Sequence, residues 1–414
     1  MKTLNDYTLL LKGKVFKPIM IGGMGVDISS EDLALGAAKL GGIGHISDAM
    51  CPYVCDKRLK TNFQNKKRAE FVEKLKSGIT CIAKWDVQAT YEASKKYVSS
   101  VMSKKVGNGG IFINIMEKLT MGDSIANLKA RICGALDGGI DGITLSAGLH
   151  NSSLKLFENH PRFRDVILGT IVSSSRALKI FMRSAKRADR LPDYVVVEGP
   201  LAGGHLGFGS DWKNFELKTL LKEVLDYLKE EGLKIPVIPA GGIFTGKDAV
   251  EYMEQGASAV QVATRFTIAQ ESGFPEEAKQ AFLQSKEEDV EVNSSSPTGY
   301  LMRMLKSSPS LNSNVKPNCE ALGYMLDDNG QCAYKTVYET APVDENGVKL
   351  PINSKMCICT HFMKCACHTC GHYVYRLKET TSKLANGKFY IPPMEDIFND
   401  YLHTADGSIT LPVV

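Results

Sequence analysis

The stretch YVVVEGPLAGGH (194–205) passes from an apolar, β-branched run through Glu198 into a glycine-rich turn that ends on His205. A short run of this kind closed by glycine reads as a buried strand followed by a loop. Seven more runs punctuate the first 270 residues: PIMIG (18–22), GIGHIS (42–47), IFINIM (111–116), GITLS (142–146), VILGTIV (166–172), PVIPA (236–240) and AVQVA (259–263). Most are separated by segments with helical periodicity. Strands alternating with helices predict βα units and a parallel sheet. Eight such units in about 250 residues predict a closed (β/α)8 TIM barrel rather than an open sheet, with its chemistry at the C-terminal ends of the strands. That rule puts the glycine turn and His205 at the barrel mouth.

The chain has 414 residues, more than one compact core needs, so a barrel with an appendage is expected. The barrel is assigned to 1–311. Residues 49–109 form an extended insertion after strand two, lysine-rich, containing CIAKWDV (81–87) and read as extra helices beside the mouth. Residues 312–414 form a Cys-rich C-terminal subdomain with seven of the eleven cysteines. Composition is that of an ordinary soluble protein, 43% hydrophobic and 23% charged, with a net charge of +4. The one sizeable basic cluster, KRLKTNFQNKKR (57–68), reads as a solvated helix face, or else as a dock for an acidic carrier protein or a phosphate-bearing substrate. Nothing calls for nucleic acid. No run approaches the roughly 18 apolar residues of a membrane span, and the N-terminus lacks a signal-peptide core. The expected location is cytoplasmic, with reduced cysteines unless they bind metal.

Glycines at strand ends let backbone N–H groups approach a ligand. They recur as Gly22-Gly23-Met24-Gly25, Gly203-Gly204 and Gly241-Gly242. The loops after strands seven and eight are the usual phosphate site of this fold. Gly241-Gly242-Ile243 leading to Thr245-Gly246-Lys247-Asp248 reads as a turn opening a helix whose N-terminal amides meet a phosphate, with Ala263-Thr264-Arg265 as a second wall.

GGMGVDISSEDLALGAAKLGGIGHIS (22–47), EGPLAGGHLG (198–207), IPVIPAGGIFTGKDAVEYMEQGASAVQVATRF (235–266) and SPTGYLMRML (296–305) together resemble the FMN-dependent nitronate monooxygenase (2-nitropropane dioxygenase-like) superfamily. That superfamily includes FabK-type enoyl reductases and the FabX-type dehydrogenase/isomerases of unsaturated fatty acid synthesis. The resemblance covers about residues 15–310. It implies FMN over the barrel mouth. The implied contacts are Gly22, Gly23 and Met24 after strand one, Asn114 on strand three, and Glu198, Gly203 and Gly204 from strand six. Ala240, Gly241, Gly242, Gln261, Ala263 and Thr264 complete the ribityl and phosphate end.

A histidine near its unperturbed pKa can take a proton from carbon at neutral pH. His205 is placed for that, or else holds the loop as a structural residue; the family motif favours the catalytic role. His150, in SAGLH (146–150), is the second candidate and reads more readily as a loop histidine. His45 lies inside strand two. Asp27 and Asp48 stand near strand ends with nothing to single them out.

Cys357, Cys359, Cys365, Cys367 and Cys370 fall within 14 residues, beside Cys319 and Cys332 earlier in the tail. In a cytosolic chain this density predicts a metal centre. Zinc and a [4Fe–4S] cluster both fit CxC and CxxC spacings. The resemblance to FabX-type enzymes, which carry a cluster beside FMN, favours [4Fe–4S].

The expectation is an FMN-dependent oxidoreductase acting on acyl-carrier-protein thioesters. His205 would take the α-proton as FMN takes the β-hydride, giving a trans-2-enoyl chain whose double bond the same base could shift. Dioxygen or another acceptor would reoxidise the flavin, and a homodimer is compatible with all of this. Alternatives are a nitronate monooxygenase, an NAD(P)H-dependent enoyl reductase and a non-enzymatic flavin or iron–sulfur redox sensor. No GxGxxG lies in a βαβ context, so no separate nicotinamide domain is expected.

Overall fold

The computed structural model describes residues 2–78, 86–117, 124–318 and 332–413. CIAK and Trp85 of the insertion motif, and Cys319, lie outside the described residues. Eight parallel strands close into a barrel: Ile19–Ile21, Ile43–Ser47, Gly110–Met116, Gly142–Ser146, Ile167–Val172, Tyr194–Glu198, Val237–Ala240 and Val260–Val262. The eighth pairs with the first, Gln261 opposite Met20. Every expected run is a strand. The reason is burial on both faces: these runs lack the polar alternation of a half-wet sheet.

Met20, Phe112, Tyr194, Val196 and Ile238 fill the barrel. A hairpin, Leu9–Leu11 with Lys14–Phe16, plugs its lower end through Leu9, Leu11 and Phe16. Around the barrel lies the larger apolar layer between strands and helices.

The helical ring departs from simple repetition in three places. After strand two, Val87–Ser103 is the ring helix and packs on Ser124–Asp137, while Cys51–Leu59 and Phe63–Lys76 are extra. Cys51–Leu59 sits beside the mouth, where the Tyr53 hydroxyl donates to the Met363 carbonyl at 2.5 Å. After strand four there is one short turn, Ser153–Leu156, not a helix. Ala147 and His150 take left-handed backbone there, and Phe157 and Phe163 cover the gap edge-to-face at 5.2 Å. After strand eight, the ring position is filled from the far end of the chain. Helix Met394–His403 packs against Glu31–Lys39 and Gly246–Glu254, burying Met394, Ile397, Phe398, Tyr401 and Leu402. The Cys-rich tail therefore returns to the barrel and shares its core.

Over the mouth lies a small antiparallel sheet in which Met302–Leu305 pairs with Val290–Asn293 on one side and Gly204–His205 on the other. Among the described residues, no helix is long and apolar enough to cross a membrane.

Candidate active site

A cavity of about 490 Å³ opens at the C-terminal ends of the strands. That is within the roughly 300–1,000 Å³ of small-molecule sites. One wall is the loop after strand one, with Gly22, Gly23 and Met24; Asn114 stands on the next. Glu198, Gly203, Gly204 and His205 form a third. Ala240, Gly241, Gly242, Gln261, Ala263 and Thr264 line the side of strands seven and eight. The structure thus brings every residue expected to touch the cofactor, and His205, to one cavity.

These walls fit a flat polar ligand ending in a phosphate. The Asn114 Oδ1 and Gln261 Oε1 atoms are buried with no hydrogen-bond partner among the described residues, a state that buried polar groups rarely keep unless a ligand or water meets them. Gly23 must be glycine, since a Cβ there would lie 2.3 Å from that of Asn114. Gly241 and Gly242 hold φ of +98° and +82°, which few other residues adopt. The amides of Gly242 and Ile243 donate to no acceptor among the described residues.

At this turn the cavity is lined by Gly241, Gly242 and Ile243 and not by the first residues of helix Gly246–Glu254. The Asp248 carboxylate accepts from the amides of Phe244 and Thr245, at 3.0 and 2.9 Å, and the Thr245 hydroxyl accepts from Asp248 N–H. A complete capping box uses those three donors, and the unbonded Gly242 and Ile243 amides are the ones in the cavity wall.

His205 is half-buried and opens onto the cavity. Nε2 lies 2.8 Å from Ser296 Oγ, which in turn lies 2.6 Å from Thr298 Oγ1. The Tyr300 ring meets the imidazole edge-to-face. Desolvation lowers the histidine to about 4. With Nε2–H donating to Ser296, Nδ1 is left as a neutral proton acceptor. Glu198 is shifted the other way, to about 7, by desolvation that the charge of Arg303 partly offsets.

The other candidates have local duties. Both ring nitrogens of His150 are taken, by Ser153 Oγ at 2.9 Å and the Ser146 carbonyl at 2.7 Å, and the residue is fully buried. His45 bonds the Ile21 carbonyl and Thr144 Oγ1 inside the barrel. Asp48 is buried against Arg131. Asp27 has left-handed backbone and is clamped by Lys57 at 2.7 Å and Arg58 at 3.1 Å. The basic cluster therefore divides: its first two residues hold a mouth loop, and helix Phe63–Lys76 beyond them buries no residue.

The cysteines do not gather as a ligand set. Cys357 packs with Tyr334 and Ile352, Cys367 with Met302 and Met304, and Cys365 and Cys370 with Ile28 and Phe274. Cys359 is buried on the short helix Ile358–Met363. Among the described residues, no three Cys, His, Asp or Glu side chains converge to hold a metal. As arranged, these residues do not fit a [4Fe–4S] cluster or a zinc site.

Sequence reading missed what the tail does at the mouth. Phe362, Thr369, Cys370 and Gly371 line the cavity. The His372 amide donates to the Leu201 carbonyl, and a Cβ on Gly371 would meet Thr264 Oγ1 at 2.2 Å. A glycine just after the CxxC was the available signal. Arg303 was also missed, although it lies in the quoted closing segment.

A profile of the nitronate monooxygenase family matches residues 9–341. A probable nitronate monooxygenase of Staphylococcus saprophyticus is 29% identical over 187 residues, 44% of this chain and 46% of that protein. The (3aS,4S,5R,7aS)-5-hydroxy-7a-methyl-1-oxo-octahydro-1H-indene-4-carboxyl-CoA dehydrogenase of Mycobacterium tuberculosis is 32% identical over 120 residues, 29% of this chain and 30% of that protein. The chain thus spans less than half the length of these curated relatives. Among solved structures, FabK from Thermotoga maritima is similar over 97% of this chain and 95% of that one, with a TM-score of 0.55 and 18% identity, a likeness of fold.

Proposed function

Since the chain belongs to the nitronate monooxygenase family, we propose that it is an FMN-dependent oxidoreductase that oxidises a substrate carrying an acidic C–H bond. The observation that carries this reading is a histidine held neutral by desolvation in a cavity with Asn114 and Gln261 oxygens that have no partner among the described residues and with free amides at its phosphate end. Bound FMN would supply a hydride acceptor. The chain supplies the rest. The Gly242 and Ile243 amides would hold the phosphate. Asn114 and Gln261 would meet the polar groups of the ring and ribityl chain. His205 would take the proton at its free nitrogen, and Ser296 would orient the imidazole.

The substrate we propose is an acyl thioester on acyl-carrier protein, because a thioester acidifies its α-carbon. Its oxidation would give a trans-2-enoyl chain, and return of the proton further along would move the double bond. The name of the mycobacterial relative, a carboxyl-CoA dehydrogenase, supports thioester chemistry. The names of the staphylococcal relatives favour a second reading, nitronate oxidation, in which the same histidine would take the acidic proton beside nitrogen from a parent nitroalkane and a substrate offered as the nitronate would need no base. No step is routed through an iron–sulfur centre.

Anaerobic mixing with acyl-carrier-protein thioesters, nitronates and NAD(P)H, followed by flavin absorbance, tests this. Thioesters should bleach the flavin. Bleaching by nitronates alone makes the second reading the function, and bleaching by NAD(P)H alone points to a reductase. A flavin that none of them reduces removes the enzymatic reading. Iron and sulfide analysis of anaerobically prepared protein should find little of either; about four of each per chain would mean that the cluster itself draws the thiols together, as metal binding linked to folding can.

A further inference from the structure

Arg303 is fully buried, yet its guanidinium is only partly used. Nη1 donates to the carbonyls of Pro200, at 2.8 Å, and Ala202. The group lies over the Trp212 ring, 4.6 Å from its centre. Nε and Nη2 meet no acceptor among the described residues. On the other side of the same loop, Glu198 ends strand six, and its side chain opens onto the cavity. Among the described residues no donor hydrogen-bonds its carboxylate, and Arg303 acts on it without a direct ion pair. Unspent donors are costly in a buried place, and a small polar group or water beside them would satisfy them.

We infer that Glu198 is a second proton-handling group of this cavity, beside His205, and that Arg303 is its positioning residue. The inference rests on the oxidoreductase reading above and deepens it. Arg303 bonds two carbonyls of the loop that joins Glu198 to His205, and its strand pairs directly with Gly204 and His205. Both groups are thus referenced to one rigid strand. Desolvation then separates their proton affinities. Glu198 stands at about 7 and exchanges a proton at neutral pH, while His205 stands at about 4 and stays neutral. Paired groups pushed apart in this way divide acid and base roles. Arg303 is the charge that acts on Glu198. The exchange moves one proton between the carboxylate and a carbon acid or water in the cavity, and no electrons. Moving a double bond needs a proton taken at one carbon and returned at another, which two such groups provide.

Carboxyl ¹³C NMR of glutamate-labelled protein, with E198Q to assign the signal, reads the titration of Glu198 without turnover. The midpoint should lie near 7 in the parent protein. It should rise in R303M, where desolvation is no longer opposed, and move less in R303K, which keeps the charge. A midpoint in the ordinary range near ~4.3 overturns the inference, even if R303M fails to fold; so does a midpoint that R303M leaves unmoved. In the flavin-loaded protein, E198Q should keep FMN, slow substrate-driven reduction by about 10²-fold and erase an ionisation near 7 from the rate profile. Loss of FMN with an unshifted profile would make Glu198 a cofactor holder only. A flavin that no substrate reduces would sink the oxidoreductase reading while the carboxyl titration still stood.

Discussion

His205 is held by Ser296 through Nε2 and lines the cavity, so Asn at this position, whose amide ends at the level of Nδ1, gives up the Ser296 bond and provides no base. H205N should retain FMN and slow substrate-driven flavin reduction by about 10²–10⁴-fold in stopped-flow traces. The sign of the pH effect follows from desolvation, which favours the neutral ring and lowers its pKa to about 4. The base is therefore unprotonated throughout the neutral range. With Glu198 replaced by Gln, the rate should stay level as pH falls through 6.5 and drop only near 4. A limb at 6.5 in that variant would mean that the imidazole is in contact with bulk water. His205 was legible because a glycine turn at a strand end fixes where its side chain goes. Arg303 was not, since nothing in MRML tells which arginine is buried with idle donors. The packing of the cysteines was not legible for a related reason: spacing along the chain does not report which apolar cluster each thiol enters.

At the scale of elements, all eight strands were legible to within a residue or two, because short apolar runs closed by glycine have few alternatives in a parallel sheet. The helices were less so. The turn after strand seven reads as opening a helix whose amides meet a phosphate; Asp248 takes the Phe244 and Thr245 amides just ahead of that helix, while the unbonded Gly242 and Ile243 amides line the cavity. D248A separates the two arrangements. Losing half of the capping box should cost about 1 kcal/mol of stability in urea melts. The FMN dissociation constant should stay within about twofold, because the phosphate would use the Gly242 and Ile243 amides instead. A tenfold change in affinity, about 1.4 kcal/mol, would move the phosphate to the helix N-terminus after all.

At the scale of the whole molecule, a change in composition near residue 312 suggested a separable appendage, and composition cannot show that the chain comes back. Helix Met394–His403 occupies the outer ring beside strands one and eight, with Phe398 fully buried in the main core. Its Asp400 pairs with the buried Arg265 at 2.6 Å, next to the strand-eight wall of the cavity. Cutting the chain after residue 311 would remove both. Losing a buried phenylalanine costs about 3–5 kcal/mol, and stranding a buried arginine costs a similar ~3–5 kcal/mol. Together these approach the whole stability of a typical domain, about 5–15 kcal/mol. The fragment 1–311 should therefore show no cooperative thermal transition and bind no FMN. The full-length variant D400N, which weakens the pair but keeps the helix, should still melt cooperatively at a lower temperature and retain the flavin. A fragment 1–311 that melts cooperatively with FMN bound would show that the ring closes without its last helix, and the tail would then be an accessory to the barrel instead of part of its wall.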